Sequence, residues 1–168
     1  MKILTIFIFL YSSIALSSDL LVNNMKYSKK KLLSLSTDSL KVNDPSYKGK
    51  VKFKVIPFHK ILKVIKSKSI QFKARDGFTS IIPGELFYGK SEAYLAIENK
   101  KWPNVRNNKS AGPYYLIWKN PKKSNIKQEQ WPFQISEISV VENVEVKYKR
   151  IFPDYLTQSA KRGFKVFT

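Results

Sequence analysis

The chain has 168 residues, of which 43% are hydrophobic and 14% aromatic, so it is long and apolar enough to fold as one domain around a single core. It contains no cysteine and one histidine, which excludes disulfides, thiolate metal centres, cysteine nucleophiles, covalently attached haem c and any site that needs two histidines. The 31 lysine and arginine residues outnumber 12 acidic residues, giving a formal net charge of +19, and only four of the 31 are arginine.

This basic charge has two interpretations. It can steer the protein to an acidic partner or an anionic surface. It can also be compositional, because the lysines are spread along the whole chain and isoleucine and asparagine are abundant as well, as an AT-rich genome would produce. Nucleic acid is not an expected partner, since arginine is scarce and no nucleic-acid-binding motif is present.

The N-terminus has the pattern of a secretory signal peptide. Lys2 supplies the positive charge, an apolar segment follows over Ile3–Leu10, and Ala15 and Ser17 are small residues placed for signal-peptidase cleavage. The apolar segment is shorter than the ~20 residues that span a bilayer. We therefore expect residues 1–17 to be removed and the mature chain to be periplasmic, without a membrane span.

The first predicted strand is Lys50–Ile56. Valine and phenylalanine alternate there with lysine, which predicts one buried face and one lysine-lined face. Pro57 then fits the first position of a helix, where its missing N–H costs nothing. His59 lies beside the apolar face of that helix. The residues of the face are Phe58, Ile61, Leu62 and Ile65.

A β-hairpin is the clearest local signal. Ile70–Arg75 and Phe78–Ile82 are β-prone, and the Asp-Gly pair at 76–77 predicts a type I′ turn between them. A short helical turn is expected over Pro83–Tyr88, and Ala93–Glu98 is the next predicted strand.

Two more strands are predicted further along the chain. Tyr114–Trp118 is strongly β-prone, and Phe133–Val141 alternates imperfectly, which indicates a strand with a bulge or a shift. Polar loops over 99–112 and 120–130 precede them. We therefore expect a β-rich α+β fold over residues 18–150, with a mixed sheet, hairpins and one or two short helices.

The sequence contains no recognisable catalytic constellation. A serine nucleophile needs a base, yet the single His59 lies on the predicted helix and no GxSxG motif is present. The six glycines form no GxGxxG or Walker loop. Among the seven Glu and five Asp residues, Asp76 is already explained by the hairpin turn. We therefore expect neither an enzyme nor a cofactor or metal held by this chain.

Tryptophans and isolated arginines are the candidate binding residues. Trp118 ends an apolar strand and is expected in the core. Trp102 and Trp131 are each followed by proline, and they fit either edge packing or a docking surface. Arg75 and Arg106 are candidates for an anion pocket.

Five segments taken together resemble one known domain. In order, they are similar to a helix, a DG hairpin, a strand, a Gly-Pro turn with an apolar strand, and a final strand of the sulfite-oxidase-type molybdopterin domain. The resemblance covers residues 47–143 and implies that scaffold. The segments are Val55–Leu62, Ile70–Phe78, Ala93–Glu98, Gly112–Trp118 and Gln134–Glu142.

The chain departs from that family at the metal. The family's enzymes hold molybdenum through a cysteine thiolate, and this chain has no cysteine. The resemblance therefore implies the scaffold without the molybdenum chemistry, because a scaffold does not by itself carry an activity.

A narrower resemblance concerns electron transfer. The segments GPYYLIWKNP (112–121) and EQWPFQISEISVVE (129–142) are similar to small exported modules that precede a cytochrome c domain. Within the C-terminal tail, residues 151–168, Ser159–Thr168 resembles the opening helix of a class I cytochrome c. Alternatively, the tail packs on its own domain through Phe164 and Phe167.

These resemblances imply an exported, non-catalytic module that docks a c-type cytochrome or another periplasmic redox protein. Haem c is then expected in that partner or in a downstream domain. The alternative is a periplasmic module that binds a small anion on the same scaffold.

Overall fold

A computed structural model describes residues 19–37, 39–45, 50–98, 102 and 110–143 of the chain. The predicted signal peptide over residues 1–17 and the predicted tail over residues 151–168 lie outside this part. Within it, the chain forms nine strands and one α-helix. They are β1 (Leu20–Val22), β2 (Met25–Tyr27), α1 (Lys29–Leu35), β3 (Ser39–Asn43), β4 (Lys50–Pro57), β5 (Lys68–Ala74), β6 (Thr79–Pro83), β7 (Glu92–Glu98), β8 (Tyr115–Lys119) and β9 (Ile135–Glu142).

The strands form two sheets. Five of them make a sheet in the order β2-β1-β9-β5-β6, in which β1 runs parallel to β9 and the other pairs are antiparallel. The other four make an antiparallel sheet in the order β3-β4-β7-β8. The predicted β-rich α+β class is confirmed, with the strands divided between two sheets.

The lysine alternation of the first predicted strand is confirmed in β4. Phe53 and Val55 are buried, whereas Lys50 and Lys52 are exposed. β3 pairs with β4 so that Lys41 lies directly opposite Lys52. Because opposite residues of paired strands share a face, the lysines of both strands line the same outer face.

The predicted hairpin is formed by β5 and β6, but the type I′ turn is wrong. The N–H of Gly77 donates to the carbonyl of Ala74 at 3.0 Å, and the N–H of Ala74 donates to the carbonyl of Phe78 at 2.8 Å. Gly77 has a φ of 89°, whereas Asp76 has no positive φ. The connection is therefore a type I turn followed by a left-handed glycine, which gives a three-residue loop.

The predicted helix after Pro57 is a single turn of 3-10 helix over Phe58–Lys60. Ile61 and Leu62 are buried as the periodicity predicts, but Ile65 is 45% exposed. The apolar spacing thus identifies the buried residues over one turn and overstates the length of the helix.

The α-helix of the described residues lies earlier, at α1. Its N-cap is Ser28, whose hydroxyl oxygen accepts a hydrogen bond from the N–H of Lys31 at 3.3 Å. Leu32 is buried, whereas the three lysines at 29–31 are exposed. The lysine run is a solvated helix face.

The imperfect alternation over Phe133–Val141 reflects a bulge within β9, as predicted. Lys73 of β5 pairs with Glu137 and the adjacent Ala74 pairs with Ile135, so Ser136 has no opposite residue. The hydroxyl of Ser136 donates to the carbonyl of Lys73 at 3.0 Å.

Both sheets contribute to one core, which a row of aromatic rings crosses. Phe72 of β5 lies 5.7 Å from Phe58, Phe58 stacks on Phe87 at 4.9 Å, and Phe87 lies 5.1 Å from Trp118 of β8. Phe87 belongs to the predicted helical turn, a 3-10 helix over Gly84–Tyr88. This helix therefore links the two sheets through its aromatic side chain.

Gly84 allows that helix to approach the chain before β5. A Cβ atom at this position would overlap the backbone carbonyl oxygens of Ile65 and Lys68. Because backbone atoms cannot move aside as a flexible side chain can, glycine is required here.

Candidate functional site

Two of the three tryptophans are buried in the core. Trp118 is fully buried, as predicted, and its indole N–H donates to the carbonyl of Gln130 at 2.7 Å. Trp131 is 4% exposed and lies against Tyr115, with ring centroids 6.2 Å apart. In the folded chain a partner protein would reach little of Trp131.

Trp102 is half-buried, and its indole lies against Gly112 of the Gly-Pro turn. Its ring centroid lies 6.0 Å from that of Phe53, and a Cβ atom on Gly112 would lie 2.6 Å from its indole nitrogen. The missing side chain of Gly112 makes room for the indole. The structure therefore places Trp102 as an edge residue that covers the core.

The candidate anion pocket is not assembled within the described residues. Arg75 is exposed in the β5–β6 turn, where its backbone N–H donates to the carbonyl of Gln134 at 2.9 Å. Arg106 lies outside the described residues. His59 is exposed and lies in the cleft described below.

A group of lysines lines the outer face of β3 and β4. Lys41 lies opposite Lys52, and Lys50 lies two residues before Lys52 on the same face, about 6.6 Å away along the strand. All three are exposed, and none forms an ion pair with a residue that the structure describes. We call Lys41, Lys50 and Lys52 the lysine face. It ends at Lys54, whose backbone pairs with Glu98 of β7.

Two lysines of the five-stranded sheet, by contrast, pair with acidic residues. Lys26 lies 2.9 Å from a carboxylate oxygen of Asp19, and Lys68 lies 3.2 Å from a carboxylate oxygen of Glu142. Neither β3 nor β4 contains an acidic residue. The positive charge of the lysine face is therefore open to an external anion, whereas these two lysines of the other sheet are compensated internally.

A cleft of about 620 Å³ adjoins the four-stranded sheet. Two segments line it. One is the chain that follows β4, and the other runs from the end of the Gly84–Tyr88 helix to the start of β7. The Tyr88 hydroxyl donates to the carbonyl of Val64 at 2.7 Å and so joins the two segments. The side chains that line it include His59, Lys63, Val64, Phe87, Tyr88 and Glu92.

Glu92 is held between two partners in the wall of this cleft. The hydroxyl of Tyr94 donates to its Oε2 at 2.7 Å, and Nζ of Lys119 lies 3.0 Å from its Oε1. The hydrogen bond from Tyr94 is the larger cause and the contact with Lys119 the next, and together they lower the pKa of Glu92. Glu92 is therefore a carboxylate at neutral pH. Burial and the nearby carboxylate raise the pKa of Tyr94 to about 12.

No sequence motif marks Glu92, Tyr94 or Lys119 as functional residues. Their pairing depends on the register of β7 with β8, in which Glu92 lies opposite Lys119. An acidic residue and a lysine at the ends of two β-prone segments are the available signal. That signal becomes specific only once these two strands are known to pair.

Among the residues that the structure describes, none of the helices has the length and apolar character needed to cross a membrane. Within the same residues, no three His, Asp or Glu side chains come together as a metal site. No protein-family model matches the chain, and no curated protein matches it. What the protein binds therefore has to be inferred from its own surface and cleft.

Proposed function

We propose that this chain is a non-catalytic docking module whose lysine face binds an acidic protein. The observation that carries the proposal is the absence of acidic residues from β3 and β4. Lys41, Lys50 and Lys52 project side by side without an acidic neighbour on β3 or β4, although like charges directly opposite each other destabilise a strand pair. An acidic partner surface would compensate that repulsion.

The partner that we propose is a c-type cytochrome or another redox protein of the periplasm. Two features support this choice: the signal-peptide pattern of residues 1–17, and the similarity of residues 112–121 and 129–142 to modules that precede cytochrome c domains. We further propose that the scaffold is of the sulfite-oxidase molybdopterin type. This proposal is supported by the order in which the segments that resemble that scaffold follow one another in the sequence, from Val55–Leu62 to Gln134–Glu142.

In the proposed mechanism the lysine face guides and orients the encounter. Complementary charge raises the association rate more than it raises the final affinity, and its effect falls with ionic strength. Exposed ion pairs contribute about 0.2–1 kcal/mol each. A few such pairs give a weak, rapidly dissociating complex, which suits a redox partner that must leave after one electron has passed.

The test is a titration of the mature chain with an acidic c-type cytochrome by calorimetry, at low and at physiological ionic strength. Replacing Lys41 and Lys52 with glutamine should weaken binding roughly 2- to 30-fold at low salt, since two contacts of this kind are lost. The salt dependence should also become shallower. Replacing Lys26 and Lys68 with glutamine removes the same charge from the other sheet and should leave the affinity unchanged within about twofold.

Three results would count against the proposal. Equal losses in the two double variants would mean that total charge, and not the lysine face, governs binding. An affinity that does not change with salt would exclude electrostatic docking. Binding to anionic lipid vesicles but to no acidic cytochrome would replace the protein partner with a membrane surface.

A further inference from the structure

The cleft beside β7 is separate from the lysine face and has the dimensions of a small-molecule site. Its volume of about 620 Å³ lies within the range of 300–1,000 Å³ that is typical of ligand pockets. It also has the usual composition of such pockets, with aromatic and aliphatic side chains and a few charged groups.

The apolar part of the cleft is suited to a flat hydrophobic body. Tyr88 is 57% exposed, and Val64 and Phe87 are half-buried, so each retains surface that a ligand can cover. Phe87 is also held by its contacts with Phe58 and Trp118. The surface is therefore preorganised, and covering it requires little ordering of the protein.

The charged groups of the cleft favour an anionic head group. The carboxylate of Glu92 is neutralised by Lys119 at 3.0 Å and fixed by the hydroxyl of Tyr94. Lys63, in contrast, is exposed and forms no ion pair with any residue in the described part of the chain. Among the described residues, Lys63 thus has no acidic partner, and His59 lies on the same segment.

We propose that this cleft binds an amphiphilic organic anion, whose carboxylate or sulfonate pairs with Lys63 and whose apolar body covers Phe87 and Tyr88. The site is independent of the docking proposed for the lysine face, because none of its residues belongs to that face.

Two fluorescent probes test this assignment, since they share one apolar body and differ in charge. Anilinonaphthalene sulfonate carries a sulfonate, and phenylnaphthylamine is the same molecule without it. The sulfonate probe should bind the mature chain more tightly than the neutral probe. Lys63→Gln should weaken the sulfonate probe roughly 3- to 10-fold and leave the neutral probe unchanged. Lys66→Gln, an exposed lysine that does not line the cleft, is the matched control.

A second pair of variants tests the apolar contact. Tyr88→Ala should weaken both probes, whereas Tyr88→Phe retains the ring and should restore binding. Urea unfolding of each variant establishes that the fluorescence comes from folded protein. Equal effects of Lys63→Gln and Lys66→Gln, or equal affinity for the two probes, would overturn the proposed anion site. If Tyr88→Ala does not fold, Lys63→Gln still decides the question.

Discussion

Replacing Lys52 with glutamate should stabilise the protein while it weakens docking. Lys52 lies directly opposite Lys41 and two residues from Lys50 on the same exposed face. The substitution turns a repulsive cross-strand pair into an attractive one and also removes repulsion from the neighbour along the strand. Under the proposed docking function, such a residue is retained for binding although its replacement would improve the fold.

The size of the gain follows from this geometry. Cross-strand charge pairs contribute about 0.2–1 kcal/mol, and reversing one charge both removes an unfavourable pair and creates a favourable one. We therefore expect the free energy of unfolding to rise by about 0.5–1.5 kcal/mol, near the lower value once solvent screening is included. Lysine and glutamate have similar, low β-propensities, so the backbone should contribute little to the difference.

Urea unfolding at low salt measures the effect, and the Lys41→Gln background isolates the pair. In that background Lys52→Glu should lose most of its advantage, because the opposite charge is gone. The gain should also shrink at ~1 M salt, where the Debye length is about 3 Å. A Lys52→Glu variant that is less stable than the wild type at low salt would refute the repulsion assigned to this strand pair.

Three further changes test the fold around the cleft. Gly84→Ala should lower the free energy of unfolding by about 2–3 kcal/mol, because the new Cβ would overlap the carbonyl oxygens of Ile65 and Lys68. Urea unfolding measures this loss, and a loss below about 1 kcal/mol would contradict the packing. Trp118→Phe should cost about 2 kcal/mol through lost volume and a lost indole hydrogen bond. Urea unfolding monitored by circular dichroism measures this cost, and an unchanged stability would contradict the placement of the ring in the core. The pKa of Tyr94, about 12 when folded against about 10 when unfolded, contributes stability that is present below pH 10 and lost between pH 10 and pH 12. Between pH 9 and pH 11 the wild type should therefore lose about 1 kcal/mol more than Tyr94→Phe, and equal losses would contradict the raised pKa.

Strands with a regular local pattern are predictable from the sequence. The alternation in β4 indicates one buried face and one solvent-exposed face. The Asp-Gly pair marks the hairpin because few other residues tolerate the backbone geometry of its turn. The turn type is less predictable, since Asp-Gly also suits a three-residue loop in which Gly77 alone has a positive φ. The choice depends on where β5 and β6 start to pair.

Long-range pairings could not be predicted in the same way. β1 and β2 are only three residues each, and β1 is placed by parallel pairing with β9, more than a hundred residues later in the chain. The short 3-10 helix after Pro57 has a related cause. The turn ends at Lys60 and Ile65 is exposed, so the tertiary structure overrides the longer helix that the apolar spacing alone predicts.

In the candidate site, too, local patterns are predictable from the sequence and long-range pairings are not. The sequence predicts a lysine-lined face on β4 because that pattern is local, but not the position of Lys41 opposite it. The exposure of the tryptophans is not predictable, since a Trp-Pro pair in a loop is compatible with both a docking surface and the burial found for Trp131. The cleft combines segments about 30 residues apart, so its charges come together only in the folded chain.

A compositional origin of the lysines would explain their number but not the arrangement of the acidic residues. Lysine-rich codon usage places lysines wherever a strand faces water, and it does so on both sheets. The carboxylates, however, accompany Lys26 and Lys68 on the five-stranded sheet and are absent from β3 and β4. Because a single Lys52→Glu change would relieve the repulsion there, the proposed docking to an acidic partner rests on the absence of acidic residues from β3 and β4.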